Sequence, residues 1–248
     1  MFTMEELCVA MDRHELFVEY QPVVLLHDHA CVGAEALVRW RRNGAVRMPS
    51  EFLRAISDTL LSGRLTYWVI DTIAAELGTW LSEHPQVKVS INVPPAILGR
   101  GGLQYAATRS GLYARKDQIV LELTERGVPD ELGLQALNAM SERGLRLALD
   151  DVSLNGVNLA LFARCNFGII KLDRHLTSQL TPAAPHHAWL TGLSSLLRNS
   201  TVQVVAEGVE TQFQAKTLLE AGVQMGQGFL FSASLPAPEL IAYHARAS

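Results

Sequence analysis

Short runs of alternating apolar residues recur along this chain, and seven of them stop on an acid, an amide or a lysine: Glu35, Asn92, Glu122, Asp150, Lys171, Glu207 and Gln227. The densest ending is Leu145-Arg-Leu-Ala-Leu-Asp150-Asp151. A period of two marks a strand with one face buried, which predicts strands at 16–22, 30–40, 87–92, 119–123, 145–150, 169–172, 202–206 and 225–231. Helical patterns separate most of them, at 5–13, 50–57, 66–83, 129–143, 158–164, 186–198 and 212–221. The short link Leu26-His-Asp-His29 predicts that the first two strands pair as an antiparallel hairpin. Alternating strands and helices without a visible linker then predict one barrel-like α/β domain over residues 1–248. In such a barrel the strand endings gather at the C-terminal mouth.

Side-chain parity refines that expectation, because residues two apart on a strand face the same way. If Asp150 points into the barrel, Ala148 and Arg146 share its side while Leu145, Leu147 and Leu149 face the helices. The same division groups Glu122 with Val120, Asn92 with Ser90, and Glu207 with Val205 and Gln203. The opposite parity is aliphatic or small throughout, so the polar endings converge on the interior. A single ending of this kind is an ordinary polar strand terminus. Seven in order are a site.

Composition narrows the function classes. At 248 residues the chain buries a large core. A net charge of −4 with a pI near 6.1 argues against a broad basic surface for a DNA or RNA polymer, whereas a small nucleotide needs only a few local cations. No apolar stretch is long enough for membrane insertion, the opening Met1-Phe-Thr-Met-Glu5-Glu6 lacks a signal-peptide pattern, and Cys8, Cys31 and Cys165 have no framework spacing. The expected compartment is the reducing cytoplasm. His27, His29 and the His186-His187 pair read as turn or surface residues, the four tryptophans as packing groups, and Gly99-Arg-Gly-Gly102 as a connection lacking the lysine and hydroxyl of a phosphate loop.

The segments Tyr20-Gln21-Pro22, Glu35-Ala-Leu-Val-Arg39-Trp40, Ser90-Ile-Asn92, Glu122-Leu-Thr-Glu125, Asp150-Asp151, Lys171-Leu-Asp173, Ala206-Glu-Gly-Val-Glu210-Thr211 and Gln227-Gly-Phe-Leu-Phe231 together carry a resemblance. In this order and at these intervals the chain resembles the EAL-domain family of cyclic di-GMP phosphodiesterases over nearly its whole length. The resemblance implies a modified TIM-like (β/α)8 barrel with one antiparallel strand, in agreement with the hairpin above. It implies hydrolysis of cyclic di-GMP to linear pGpG with Mg²⁺ or Mn²⁺, two ions in all, a choice that suits oxygen-only ligands. Glu35, Asn92, Glu122 and Asp150 are then the ligands of one ion, and Asp151 belongs to the second. Lys171 stands beside the attacking water, positioning it or assisting proton removal. Glu207 supports the metal and water network, and Glu210 and Gln227 support that network or the substrate. Arg39 is offered to a substrate phosphate, with a rim salt bridge as the alternative. Gln21 and Leu37 are base-contacting residues, Glu125 anchors a loop, and Asp173 is a structural partner of Lys171. The family also implies a homodimer and leaves room for a protein regulator of a stand-alone domain.

The match departs from the family after Asp151. Where the family reads Phe-Gly-Thr-Gly-Tyr-Ser-Ser, this chain has Val152-Ser-Leu-Asn-Gly-Val-Asn158. Two expected glycines are lost, although Asn155-Gly156 still permits a left-handed turn. Three function classes follow: an active phosphodiesterase, a non-hydrolysing cyclic di-GMP receptor or protein-interaction regulator, and a different metal-dependent barrel hydrolase or lyase. The full set of acids ranks the first ahead of the others.

Overall fold

The computed structural model describes residues 2–53, 56, 59–124, 129–152, 161, 164–198 and 200–247. Among these, the strands are β1 (Leu16–Leu25), β2 (Cys31–Arg42), β3 (Ala45–Arg47), β4 (Lys88–Asn92), β5 (Ile119–Thr124), β6 (Arg146–Val152), β7 (Ile169–Leu172), β8 (Gln203–Ala206) and β9 (Met225–Gly226). They form one sheet in the order β1-β9-β8-β7-β6-β5-β4-β2-β3, and the additional β1–β2 pairing closes eight of them into a barrel. β1 runs antiparallel to both β2 and β9, and the other barrel pairings are parallel. The antiparallel strand expected from the Leu26–His29 turn is therefore β1.

Parity is realised as two apolar layers. Ile119, Leu121, Leu147, Leu149, Val204 and Ala206 pack outward in the main core with the helices. Val120, Ala148, Ile169 and Val205 join Val23 and Met225 in a separate cluster inside the barrel. A third cluster, built on Leu7, Leu16, Trp40 and Phe52, lies where β1 and β2 run past the barrel. There Trp40–Arg42 pair with β3 across Asn43-Gly44, both at positive φ, as the Asn-Gly turn of a tight hairpin requires. This extension was not among the predicted elements, although its Asn-Gly signal is in the sequence.

The long helix Leu60–Glu83 starts earlier than the predicted 66, because the Thr59 hydroxyl accepts from the Leu61 amide as an N-cap. Helices at Gly102–Arg109 and Ala237–Arg246 are additional to the predicted set. The second has a legible start, with prolines at its opening and Glu239 in its first turn. The last strand is shorter than 225–231, ending at Gly226. Gly228 explains the departure: it lies at φ +152, and a Cβ there would stand 2.3 Å from the Val209 backbone. The predicted helix at 158–164 falls largely outside the described residues, as do Glu125 and positions 153–158 of the altered loop. Among the described residues no helix is long and apolar enough to cross a membrane.

Candidate active site

All seven polar strand endings meet at the C-terminal mouth. Lys171, from β7, is 2% exposed and sits at the centre. Its Nζ lies 2.9 Å from Glu35 Oε2, 2.9 Å from Glu122 Oε2, 3.0 Å from Asp150 Oδ1 and 2.7 Å from Glu207 Oε1. Gln227 Nε2 donates to Glu35 Oε2 at 2.7 Å and to Glu207 Oε1 at 3.2 Å. Asn92 Nδ2 donates to Glu35 Oε1 at 3.0 Å. Four strands thus bring a carboxylate to the mouth, Glu35 from within β2 and Glu207 from the residue after β8, and the amides orient the acid on β2.

Asp151 reaches the same mouth by a different device. Strict alternation would send adjacent acids to opposite faces. The β6–β7 register slips between Leu149 and Val152, and Asp151 adopts φ +56. This is a bulge that re-aims a side chain beside a site, at a left-handed cost of about 1–2 kcal/mol. As a result Asp150, Asp151 and Glu207 bring ligand oxygens within 4.8 Å of one another, as do Glu35, Glu122 and Asp150.

Burial and charge set the protonation. Burial opposes the Lys171 charge, but Glu122, Glu35, Glu207 and Asp150 outweigh it and hold the ammonium protonated far above the ordinary lysine range. Burial also opposes ionisation of Glu35, where Lys171 and the Gln227 and Asn92 amides win and keep the carboxyl below its usual range. Glu122 goes the other way: burial and the neighbouring Glu35 charge push it well up against the pull of Lys171. Glu207 is raised to about 8, chiefly by burial, with Lys171 opposing and Asp150 and Glu35 adding to the shift.

The remaining predicted residues lie around this cluster. Gln21 is half-buried and pairs in register with Glu35, and Leu37 follows two residues along the same face. Arg39 is buried: its Nε donates to Glu19 at 2.9 Å, Nη2 to Ser234 at 2.9 Å and Nη1 to the Val38 carbonyl at 3.1 Å. The salt bridge foreseen as its alternative is present. Glu210 is exposed, and its amide donates to Gln214 Oε1, the oxygen that also accepts from the Thr211 amide in the capping box of the helix Gln212–Glu220. Asp173 does not pair with Lys171. The chain leaves β7 at Leu172, so Asp173 instead caps the next helix, accepting from the His175 amide at 2.6 Å. Two features escaped sequence reasoning: the Glu19–Ser234 anchor of Arg39, which spans distant segments, and Phe229, 73% exposed beside Gly228.

The loops carrying Glu207 and Gln227 are laced together. The Gln227 amide donates to the Ala206 carbonyl, the Val209 amide to the Gln227 carbonyl, and the Leu230 amide to the Val209 carbonyl. Two glycines permit this approach: Gly228, and Gly208 at φ +62, where an added Cβ would stand 2.6 Å from Arg174 Cβ.

A model of the EAL domain matches residues 4–234. The chain belongs to the EAL domain family. Among EAL relatives, PdeB of Escherichia coli (strain K12), described as a probable cyclic di-GMP phosphodiesterase, is 31% identical over 94% of this chain and 45% of its own length. MucR of Pseudomonas aeruginosa, a bifunctional diguanylate cyclase and cyclic di-GMP phosphodiesterase, is 28% identical over 96% of this chain and 36% of its own. The chain therefore spans less than half the length of these relatives. Of solved EAL structures, the PaMucR phosphodiesterase in complex with c-di-GMP superposes with a TM-score of 0.84 at 27% identity, covering 96% of this chain and 98% of that one. The EAL domain of Mycobacterium smegmatis DcpA gives a TM-score of 0.75 at 27% identity, covering 94% and 98%.

The site's donor set suits the divalent ions of EAL phosphodiesterases. Its acids and the Asn92 amide present oxygen alone, as hard cations require. Four carboxylates face one ammonium, and Asp150 Oδ1, although near Lys171, is buried without a hydrogen bond of good geometry. Buried negative charge in excess of its partners is costly without further cations.

Proposed function

We propose that this EAL domain hydrolyses cyclic di-GMP to linear pGpG with Mg²⁺ or Mn²⁺, two ions being held at the mouth. The observation that carries the reading is the buried cluster of Glu35, Glu122, Asp150 and Glu207 around Lys171, with more carboxylate than one ammonium neutralises. The two EAL relatives above carry the same activity in their descriptions. Glu35, Asn92, Glu122 and Asp150 would hold one ion, and Asp151 with Glu207 stands beside the second. When bound, such ions activate water and neutralise charge on a phosphodiester. Lys171, held as an ammonium, acts by donating hydrogen bonds and orienting water rather than by taking its proton. Gln227 and Glu207 keep Glu35 and Lys171 in place. Gln21, Leu37 and Arg39 on the β1–β2 side, with Glu210 and the exposed aromatic face of Phe229, form the rim assigned to the dinucleotide. Self-association as a homodimer belongs to the same reading and is tested by analytical ultracentrifugation.

The decisive test is incubation of the purified chain with cyclic di-GMP and either ion, following pGpG by chromatography. Metal-dependent appearance of pGpG supports the proposal. Saturable binding of cyclic di-GMP with no pGpG overturns it in favour of a receptor, the reading to which the altered sequence 152–158 points.

A further inference from the structure

The barrel is hollow below the site. In a regular (β/α)8 barrel the interior is filled by layers of bulky side chains contributed by alternate strands. Here a cavity of about 250 Å³ runs from the N-terminal ends of the strands up to Glu122 and Lys171. An ordered water occupies only about 10–15 Å³ on this scale, so the chamber has room for a small ligand. Its cause is in the sequence. Gly33 and Ser90 line it at inward positions where a barrel ordinarily places branched aliphatics.

The floor of this chamber is polar. Lys88, Arg146 and Gln203 are the first residues of β4, β6 and β8, and all three line the cavity together with Gln86. β4 and β6 are second neighbours, which sets their backbones about 10 Å apart, a span that two long cationic side chains close from either side. Arg146 Nη1 donates to Gln203 Oε1 at 3.2 Å. Lys88 is half-buried, and both burial and the Arg146 charge work against its ammonium, with Asp117 favouring it. Two like charges turned into one chamber are mutually unfavourable and are relieved by an anion between them.

We propose that this lower chamber is a second ligand site, taking a small oxyanion, phosphate or carboxylate, held by Lys88 and Arg146 with the Gln86 and Gln203 amides. The oxyanion enters from the foot of the barrel, opposite the mouth. Val120, Ile169 and Val205 line its apolar middle, between the cations at the floor and Glu122 and Lys171 at its upper end, so occupancy is read by stability and binding rather than by turnover.

The test is titration of the full chain with inorganic phosphate and, in parallel, acetate. Metal is removed by chelator and ionic strength is held constant with chloride, and the unfolding midpoint and calorimetric binding are followed. A saturable rise with phosphate alone identifies a phosphate site, and an equal response to acetate a general carboxylate and phosphate site. Lys88→Gln and Arg146→Gln should each weaken binding about tenfold or more, the loss expected for one charge-assisted hydrogen bond. Lys216→Gln, which removes an exposed charge on an outer helix, should leave it unchanged. Arg146 is exposed, so its variant gives a result even if Lys88→Gln folds poorly. No saturable response beyond that of chloride, or an unaltered response in Arg146→Gln, overturns the proposal.

Discussion

The two ends of this barrel are built by the same strands and carry opposite charge. At the mouth, buried acids surround one lysine; at the foot, a lysine and an arginine share a chamber with two amides. The difference lies in how completely each end satisfies itself. The mouth has a cation at its centre and amides aimed at Glu35, so it holds together as a network that is still rich in negative charge. The foot contains like charges and empty volume. A polar cluster that is internally cross-linked is set for chemistry at fixed atoms, whereas one with two like charges and space between them is set to receive something.

The largest test of the contrast is Lys171→Met. It leaves Glu35, Glu122, Asp150 and Glu207 buried without their common partner, and breaking a buried ion pair from one side costs about 3–5 kcal/mol. Urea denaturation of the metal-free protein should show that loss, and Mg²⁺ or Mn²⁺ should restore part of it. Unchanged stability would mean that the four acids do not share the lysine charge.

Next in size is Glu35→Ala. Outer-shell partners of metal sites cost about 10–100-fold when removed, so deleting an acid that touches Lys171, Gln227 and Asn92 at once should lower pGpG formation by more than about 100-fold, as initial rates at saturating metal would show. Retention of near-normal rates would remove Glu35 from the ligand set.

A third effect is on pH. The folded-state pKa of Glu207, about 8, lies above its ordinary value of 4.5, so its proton stabilises the metal-free fold fully below pH 4.5, and this contribution is lost as pH rises through about 8. Metal binding must displace that proton. Affinity for Mn²⁺ should therefore climb as pH rises toward about 8 and level off above it, with proton release visible by calorimetry in buffers of different ionisation enthalpy. A flat profile would show that Glu207 is already ionised. The smallest effect belongs to the foot: in oxyanion-free buffer Arg146→Gln should change pGpG formation less than twofold, since surface substitutions away from such networks stay within about 0.5 kcal/mol.

Much of this was legible in the residues. Alternation alone placed Asp150, Glu122 and Glu207 on the interior and Leu147, Leu121 and Val204 on the exterior, because a period of two is imposed by the backbone wherever one face is buried. The Leu26–His29 turn foretold the reversed strand. What stayed hidden depended on distant contacts or on breaks in the period. The convergence of four acids on Lys171 joins residues up to 136 positions apart, and no local pattern encodes it. Asp151 turns inward only because the register slips. The helix Gly102–Arg109 was obscured by the glycines before it, of which Gly101, at φ +79, is its N-cap. The hollow foot was visible only as small residues, Gly33 and Ser90, whose consequence appears once the layers are stacked.

The reversal of β1 also gives the polypeptide a direction relative to its chemistry. The helix Met4–Asp12 packs with Leu16 and Trp40, on the part of the β1–β2 ribbon that stands beyond the mouth. At the other terminus the Ala247 carbonyl accepts from the amide of Cys31, which opens β2 one residue before Val32 at the foot. A module joined ahead of this domain would thereby be wired to the acidic mouth, and one joined behind it to the opposite pole, so the order of fusion would decide which end of the barrel a neighbouring domain addresses.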